Sequence, residues 1–324
     1  MTNNTTSYKV SVIVPVFNAE KFIGKCLDSL VQQTLKDIEI IVINDGSTDN
    51  SINILKKYVK RFNNLKLYTQ SNHGLYYTRK IGLHYATGKY IGWVDADDFI
   101  EPNMYEVLYT LAEEKSADVA YCDYNFYPRK TKTKEKWFRQ FKGKKDIDFI
   151  ERNSQLWNKI VKRKVLKNLK ISDIFETCFD EAYIKVLLHA KTIAFTDEKL
   201  YHYRISDSTM SSSYANVAHY KNFIQASVNL KEEMEFLCKN DEYWKHYFDF
   251  RISYYKLIAM IVAANARDFS TYKTLKKESK KIRDNKHFSK IMQTNYGFIK
   301  SFVMSRIIPI NFSLARIMCR FVFT

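Results

Sequence analysis

The densest chemistry in the sequence is Tyr90-Ile-Gly-Trp-Val-Asp-Ala-Asp-Asp98, an apolar run that ends in three carboxylates, Asp95, Asp97 and Asp98. Clustered carboxylates repel one another unless something positive joins them, and hard oxygen ligands suit Mg2+ or Mn2+. A divalent ion bridging to a diphosphate meets both needs; helix-capping acids in a turn before Pro102 are the plainer reading. Two other segments have the same form. Val14-Pro-Val-Phe-Asn-Ala-Glu20 and Ile43-Asn-Asp-Gly-Ser-Thr-Asp49 also run from apolar residues into polar or aromatic ones. Phe17 can lie against a flat base, and Asp45, an acceptor only, can hold a base edge or a ribose hydroxyl. Ser71-Asn-His-Gly-Leu-Tyr-Tyr-Thr-Arg-Lys80 opens a helix from which Arg79 can reach a base or a phosphate. His73 reads as a loop residue.

These groups need a scaffold that brings strand ends together. Val10 to Val16, Ile38 to Asn44, Leu65 to Thr69, Tyr90 to Val94 and Val119 to Tyr121 read as strands. Between the first two, Phe22, Ile23, Cys26, Leu27, Leu30 and Val31 recur at helical spacing. After the second, Ser47, Thr48 or Asp49 is positioned to cap a helix that buries Ile52, Leu55 and Tyr58 or Val59. Repetition of strand, helix, strand predicts an α/β fold, a mainly parallel sheet covered by helices with ligands at the carboxyl ends of the strands. Seven of the eight glycines lie at or before Gly143, and residues 144–296 contain neither Gly nor Pro, so the later part reads as mainly helical.

The 324 residues are 46% hydrophobic and 27% charged, which excludes disorder and fibrous repeats and suits a soluble protein of about two domains. The five cysteines are far apart, with no close metal-ligand spacing, which fits a reducing cytoplasm. No signal peptide and no membrane-spanning run is expected. The net charge of +17 is lopsided. Residues 1–128 hold 13 Lys and Arg against 15 Asp and Glu, leaving 39 against 20 for the rest. That half predicts a polyanionic partner, such as an anionic membrane, an acidic glycan or a nucleic acid. The segment Arg129 to Lys145, with nine cations around Trp137, Phe138 and Phe141, is a solvated connector or such a contact. In Phe298 to Thr324, which has no acid, Ile310, Leu314, Ile317, Met318 and Phe321 form one helical stripe. It suits a membrane interface, core packing or a subunit contact.

On these motifs the sequence resembles the family 2 glycosyltransferases, inverting enzymes of the GT-A (Rossmann-like) fold that use nucleotide sugars. Residues 8 to about 125 carry the likeness: Pro15 and Asn18, the turn at 44–49, the Asn72, Gly74, Arg79, Gly82 pattern, Thr87-Gly-Lys-Tyr90 and Asp95-Ala-Asp-Asp98. The family usually has Tyr where Phe17 stands and often Asp at Asn44. The resemblance implies donor contacts from Pro15, Val16, Phe17, Asn18, Asp45, Asn72, Arg79, Asp95 and Ala96. It implies a Mn2+ or Mg2+ held by Asp97, with Asp95. Leu156-Trp-Asn-Lys-Ile-Val-Lys-Arg163 resembles a Trp-x-Lys element, and Tyr201-His-Tyr-Arg204 a Tyr/Arg-rich segment beyond the catalytic region. By the same likeness His202 is either a metal ligand or a packed side chain, and Arg204 binds the diphosphate. The base is Asp180, with Glu181 as its rival, because Phe179-Asp180-Glu181 stands where the family carries Glu-Asp.

The expected activity is transfer from a UDP-sugar to a glycan acceptor on a lipid carrier, polysaccharide or glycoprotein of a bacterial surface pathway. The expected location is cytoplasmic, with peripheral contact at the inner face of the membrane. Domains are expected at 1–128 (nucleotide sugar), 129–213 (acceptor side with the basic connector) and 214–324 (helical and basic). The rival reading is a non-catalytic glycan-binding or scaffold protein that keeps the fold. No nucleic-acid motif is present, so no nucleic-acid partner is expected.

Overall fold

The structure is a computed structural model, and it describes residues 8–128, 149–150, 153–170, 179–205, 217–237, 242–278, 312–313 and 315, without side chains at some helical positions. Two compact units emerge, residues 1–206 and 207–324.

The first unit alternates as its apolar pattern requires: β1 (Val10–Val16), α1 (Ile23–Val31), β2 (Ile38–Asp45), α2 (Ser51–Arg61), β3 (Leu65–Gln70), α3 (Leu75–Tyr85) and β4 (Tyr90–Trp93). After these come β5 (Phe99–Ile100), α4 (Met104–Glu114), β6 (Val119–Tyr127), β7 (Lys159–Lys162), α5 (Arg163–Asn168), α6 (Phe179–His189) and β8 (Ile193–Arg204). One eight-stranded sheet runs β3-β2-β1-β4-β7-β6-β8-β5. Strands β3, β2, β1 and β4 are mutually parallel, while β7 is antiparallel to both β4 and β6. Because side chains alternate, Val10, Val12, Val14 and Val16 of β1 enter one core with Ile23, Cys26 and Leu27 of α1 and Leu108 of α4. The other face carries Ile13 against α3: a Cβ on Gly82 would fall 2.3 Å from Ile13 Cγ2, so that contact requires glycine.

Three details differ from the sequence reading. Helix α2 begins at Ser51 with Asn50 at its N-cap and no side-chain cap bond, because the Asp49 carboxylate is spent on the amides of Ser51 (3.0 Å) and Glu20 (2.9 Å). The strand expected to stop at Tyr121 continues to Tyr127. And the mainly helical reading beyond Gly143 misses β7 and β8. In β8 the register against β6 shifts on both sides of Asp123, so the alternation that betrays a strand is broken, and Asp197, Glu198 and Lys199 face solvent.

At the starts of the parallel strands the buried Glu39 carboxylate accepts bonds from Ser11 Oγ (2.6 Å), Thr87 N and Oγ1 (2.7 Å each) and Lys66 Nζ (2.9 Å). Burial works to raise its pKa, but these bonds outweigh burial and hold it below the usual glutamate value. Lys159 of β7 is fully buried, with its Nζ on Asn158 Oδ1 and over the Tyr183 ring at 5.0 Å. Burial lowers it to about 7.

The second unit contains α7 (Val217–Leu237), α8 (Glu242–Asn265) and α9 (Phe269–Glu278). Phe223 stacks on Tyr255 at 4.9 Å, Lys231 pairs with Asp249 at 2.8 Å, and the turns from Leu257 to Ala264 are buried. The expected helical patches at 224–236 and 250–264 lie inside α7 and α8. Most of 298–324 and all of 129–145 are outside the described residues, as is Ser208 to Ser213. Among the described residues no helix is long and apolar enough to cross a membrane.

Candidate functional site

The carboxyl ends of β1, β2 and β4 meet at one edge, and their loops are stitched together by side chains. Asn18 adopts a left-handed φ of 48°, its Oδ1 accepts the Thr48 amide (2.8 Å), and its own amide donates to Ser47 Oγ (3.1 Å). Ala19 N donates to Ser51 Oγ at 2.9 Å, and Asn50 N to Glu20 at 2.8 Å. Between these anchored neighbours Phe17 stands 50% exposed, an open ring beside the loop, while Pro15 and Val16 are buried in the strand.

Asp45 is already engaged. Its carboxylate accepts from Gln70 Nε2 (2.7 Å), His73 N (2.9 Å) and Gly74 N (2.8 Å), so it shapes the β3–α3 loop that carries exposed Asn72. The expected base or ribose contact therefore falls to whatever lone pair those three bonds leave. Gly46, at φ 71°, lets that loop approach: a Cβ there would lie 2.8 Å from Asn72 N.

The acidic loop after β4 gives each carboxylate a different fate. Asp95 accepts the buried Arg79 guanidinium at 2.6 Å and stays partly open. Asp98 is 1% exposed and accepts Tyr201 O–H (2.6 Å) and Arg204 N (2.7 Å), so it anchors the loop to β8. Burial, then the charges of Asp97 and Asp95, push Asp98 well above the carboxylate range. Asp97 receives no side-chain hydrogen bond from another described residue; burial and then Asp95 raise it to about 6, with Arg204 working the other way. Beneath the loop, the Cys26 thiol lies 3.7 Å from Asp95 O, and burial followed by the three carboxylates keeps it protonated.

Aromatic residues frame this corner. Trp157 stacks on Tyr201 at 4.4 Å, and Tyr201 O–H in turn accepts Asp95 N at 3.3 Å. Arg204 Nε donates to Asp97 O (2.7 Å) while its guanidinium lies over Phe22 and Tyr127, 5.0 Å from each ring. Lys25 Nζ sits 3.5 Å from the Phe99 centroid and 4.2 Å from that of Tyr127. Lys25, Phe99 and Tyr127 escaped the sequence reading, since they come from α1, β5 and β6 and no spacing links them.

His202 points its Nε2 at Glu101 Oε1 (2.7 Å) and stacks on Phe99 at 4.4 Å. Among the described residues no three His, Cys, Asp or Glu side chains are grouped to hold a metal, so His202 does not complete a trio with Asp95 and Asp97. Two carboxylates still fit Mg2+ or Mn2+, since such ions commonly take one or two protein carboxylates and complete their shell with phosphate oxygens and water. What favours a cation there is that Asp97 accepts no side-chain hydrogen bond from another described residue while the partly open Asp95 stands beside it; burial and then the Asp95 charge raise Asp97. Asp180 and Glu181 lie in the first turn of α6, with their side chains outside the description.

Residues 11–179 match the family model described as Glycosyl transferase family 2. The uncharacterized glycosyltransferase YibD of Escherichia coli is 46% identical over 131 residues, 40% of this chain and 38% of that protein. Glycosyltransferase GlyA of Streptococcus pneumoniae is 28% identical over 319 residues, 90% of this chain and 44% of that one. The chain thus spans less than half the length of either relative. Among solved structures, S. aureus TarS 1-349 in complex with UDP-GlcNAc superposes with a TM-score of 0.64 at 22% identity, covering 96% of this chain and 91% of that one. At that identity the likeness establishes the fold.

Proposed function

We propose, from the premise that this chain belongs to glycosyl transferase family 2 and is a glycosyltransferase, that it moves a sugar from a UDP-sugar to a hydroxyl of a glycan acceptor, with inversion and with help from a divalent ion. The observation that carries this reading is the Asp95–Asp97 pair at the carboxyl end of β4, flanked by Arg79 and Arg204. The UDP donor is drawn from the ligand named for TarS.

In this reading Phe17 covers the base, and the Pro15–Asn18 and 70–74 loops line the nucleotide, with Asp45 fixing the second loop. Arg79 orients Asp95, and Asp97 presents the oxygen that no other described residue occupies. A Mn2+ or Mg2+ bound there, with the diphosphate, supplies charge neutralisation for the leaving group. Arg204, fixed on Asp97 O, faces the same developing charge. The acceptor oxygen attacks the anomeric carbon from the side opposite the diphosphate, the carbon–oxygen bond to UDP breaks, and the acceptor's proton passes to Asp180 or, in its place, Glu181. A base is needed because a sugar hydroxyl is a poor nucleophile at neutral pH. Residues 1–128 serve the donor, 129–213 the acceptor, and 214–324 form the helical remainder. The enzyme works in the cytoplasm at the inner membrane face, where its basic later half meets anionic lipid or a lipid-linked glycan.

The test is UDP release from a panel of UDP-sugars by purified protein, with Mn2+ and with EDTA. Release from one donor that EDTA abolishes is the expected result. A chain that turns over no nucleotide sugar under either condition belongs with the glycan-binding reading instead.

A further inference from the structure

At the opposite end of β4 from Asp95 lies a second charged feature. A cleft of about 270 Å³ is lined by Lys89, Lys162, Arg163, Lys164, Lys167 and Asn168. Its walls are fixed by backbone: β4 and β7 pair Tyr90 with Lys162, and Arg163 N donates to Lys89 O at 2.9 Å. Only Lys89 is neutralised, by Glu113 at 2.5 Å, and Lys162 lies near enough to help depress that carboxyl. Lys162, Arg163, Lys164 and Lys167 form no ion pair among the described residues. These four cations, of which Lys162 alone feels the nearby Glu113 carboxylate, repel one another around so small a space, and a concave wall of one sign concentrates counter-ions.

We propose that this cleft binds a compact anion carrying at least two phosphate groups. A phosphate concentrates up to two charges on one small group, so two of them balance four cations within this volume, whereas carboxylates would need four separate groups. Arg163 offers the planar fork that matches phosphate oxygens, and the lysines supply point charges around it. At about 3.3 Å per residue, the six positions from Lys89 to Asp95 put the cleft on the order of 15–20 Å from the acidic loop. The proposal therefore stands apart from the transferase reading and does not depend on it.

The probe is inorganic tripolyphosphate, titrated calorimetrically into the full chain in EDTA, which keeps metal-dependent diphosphate binding at Asp95 and Asp97 out of the measurement. The comparison variant is Lys164→Gln/Lys167→Gln; both side chains are exposed, and circular dichroism checks that the fold is kept. Expected are saturable binding by the native chain and a loss of roughly tenfold or more in affinity in the variant, with both weakening as salt rises. Inorganic phosphate should bind much more weakly. Native protein that ignores tripolyphosphate, or a variant that binds it equally well, overturns the proposal. So does phosphate binding as tightly as tripolyphosphate. Vesicles of phosphatidylglycerol and phosphatidylcholine form the last arm: vesicle binding lost in the variant without any tripolyphosphate binding assigns the cleft to a membrane surface and rejects the small-anion site.

Discussion

Glu39 and Asp97 lie at opposite ends of the same parallel strands, one within β2 and one in the loop after β4, and the fold treats them in opposite ways. Around Glu39 every oxygen is met by Ser11, Thr87 or Lys66, and the carboxyl is held below its usual value. Around Asp97 no other described residue donates a side-chain bond, and burial with the like charge of Asp95 raises the carboxyl to about 6 although Arg204 works the other way. A buried acid whose oxygens are all met holds structure together; a half-buried one with no side-chain donor keeps its oxygens open to whatever the proposed reading brings there. Acid identity alone does not distinguish them, but their hydrogen-bond partners do.

The sharpest way to break this contrast is Asp97→Ala. We expect transfer, and Mn2+-dependent binding of UDP, to be abolished with the fold intact, because nothing in the fold leans on that carboxylate; metal-dependent turnover at the native rate would falsify the assignment. Next in size is Asp180→Asn, expected to slow transfer by at least ~100-fold with donor affinity nearly unchanged, as removal of a general base does. If Asp180→Asn is nearly normal and Glu181→Gln is dead, the base belongs one position later.

At the saturated end the effect moves from rate to stability. Glu39→Gln should cost about 1–3 kcal/mol by leaving buried donors poorly met, while kcat stays close to native. Since folding lowers the Glu39 pKa, its contribution is complete above about 4.5, the ordinary value, and is lost as pH falls through the lower folded value. Urea melts across the acid range should therefore show a flatter acid limb in the variant than in the native chain. The last effect, read as a slope against pH, concerns Lys159, a buried amine with a single amide partner. Its folded value of about 7 against 10.5 means the folded chain holds fewer protons between those limits, so its contribution makes stability rise with pH across that window. Lys159→Met should remove that rise, and melts at about pH 7 and pH 9 would detect it; an identical slope in both proteins ends the idea.

Much of the first 100 residues was legible because β1, β2 and β4 are short, mostly apolar runs buried on both faces, and the helices between them have a distinct period. The acidic loop was legible because three carboxylates follow such a run. Glu39 left a signal that went unread: an acid in the middle of Ile38-Glu-Ile-Ile-Val-Ile43 must be paired if the run is a buried strand. Asp45 could not be assigned from type and position, since an acceptor at a strand end serves a neighbouring loop as readily as a ligand. Strands β7 and β8 were hidden for physical reasons. The first is four residues long and begins with a buried lysine, and the second loses its alternation where its register slips.

Tyr201 O–H reaches Asp98 across 103 residues of sequence, and Arg204 N reaches it across 106. At synthesis rates of about 5–20 residues per second, the acidic loop emerges roughly 5–20 s before the strand that fastens it. During that interval the strands that carry the loop can pair and Arg79 can already hold Asp95, while Asp98 still lacks its partners on β8, so the order of assembly puts the scaffold first and the Asp98 end of the acidic loop last. A nascent chain halted at residue 179 would already contain the whole stretch that matches the family and still lack the residues that anchor Asp98.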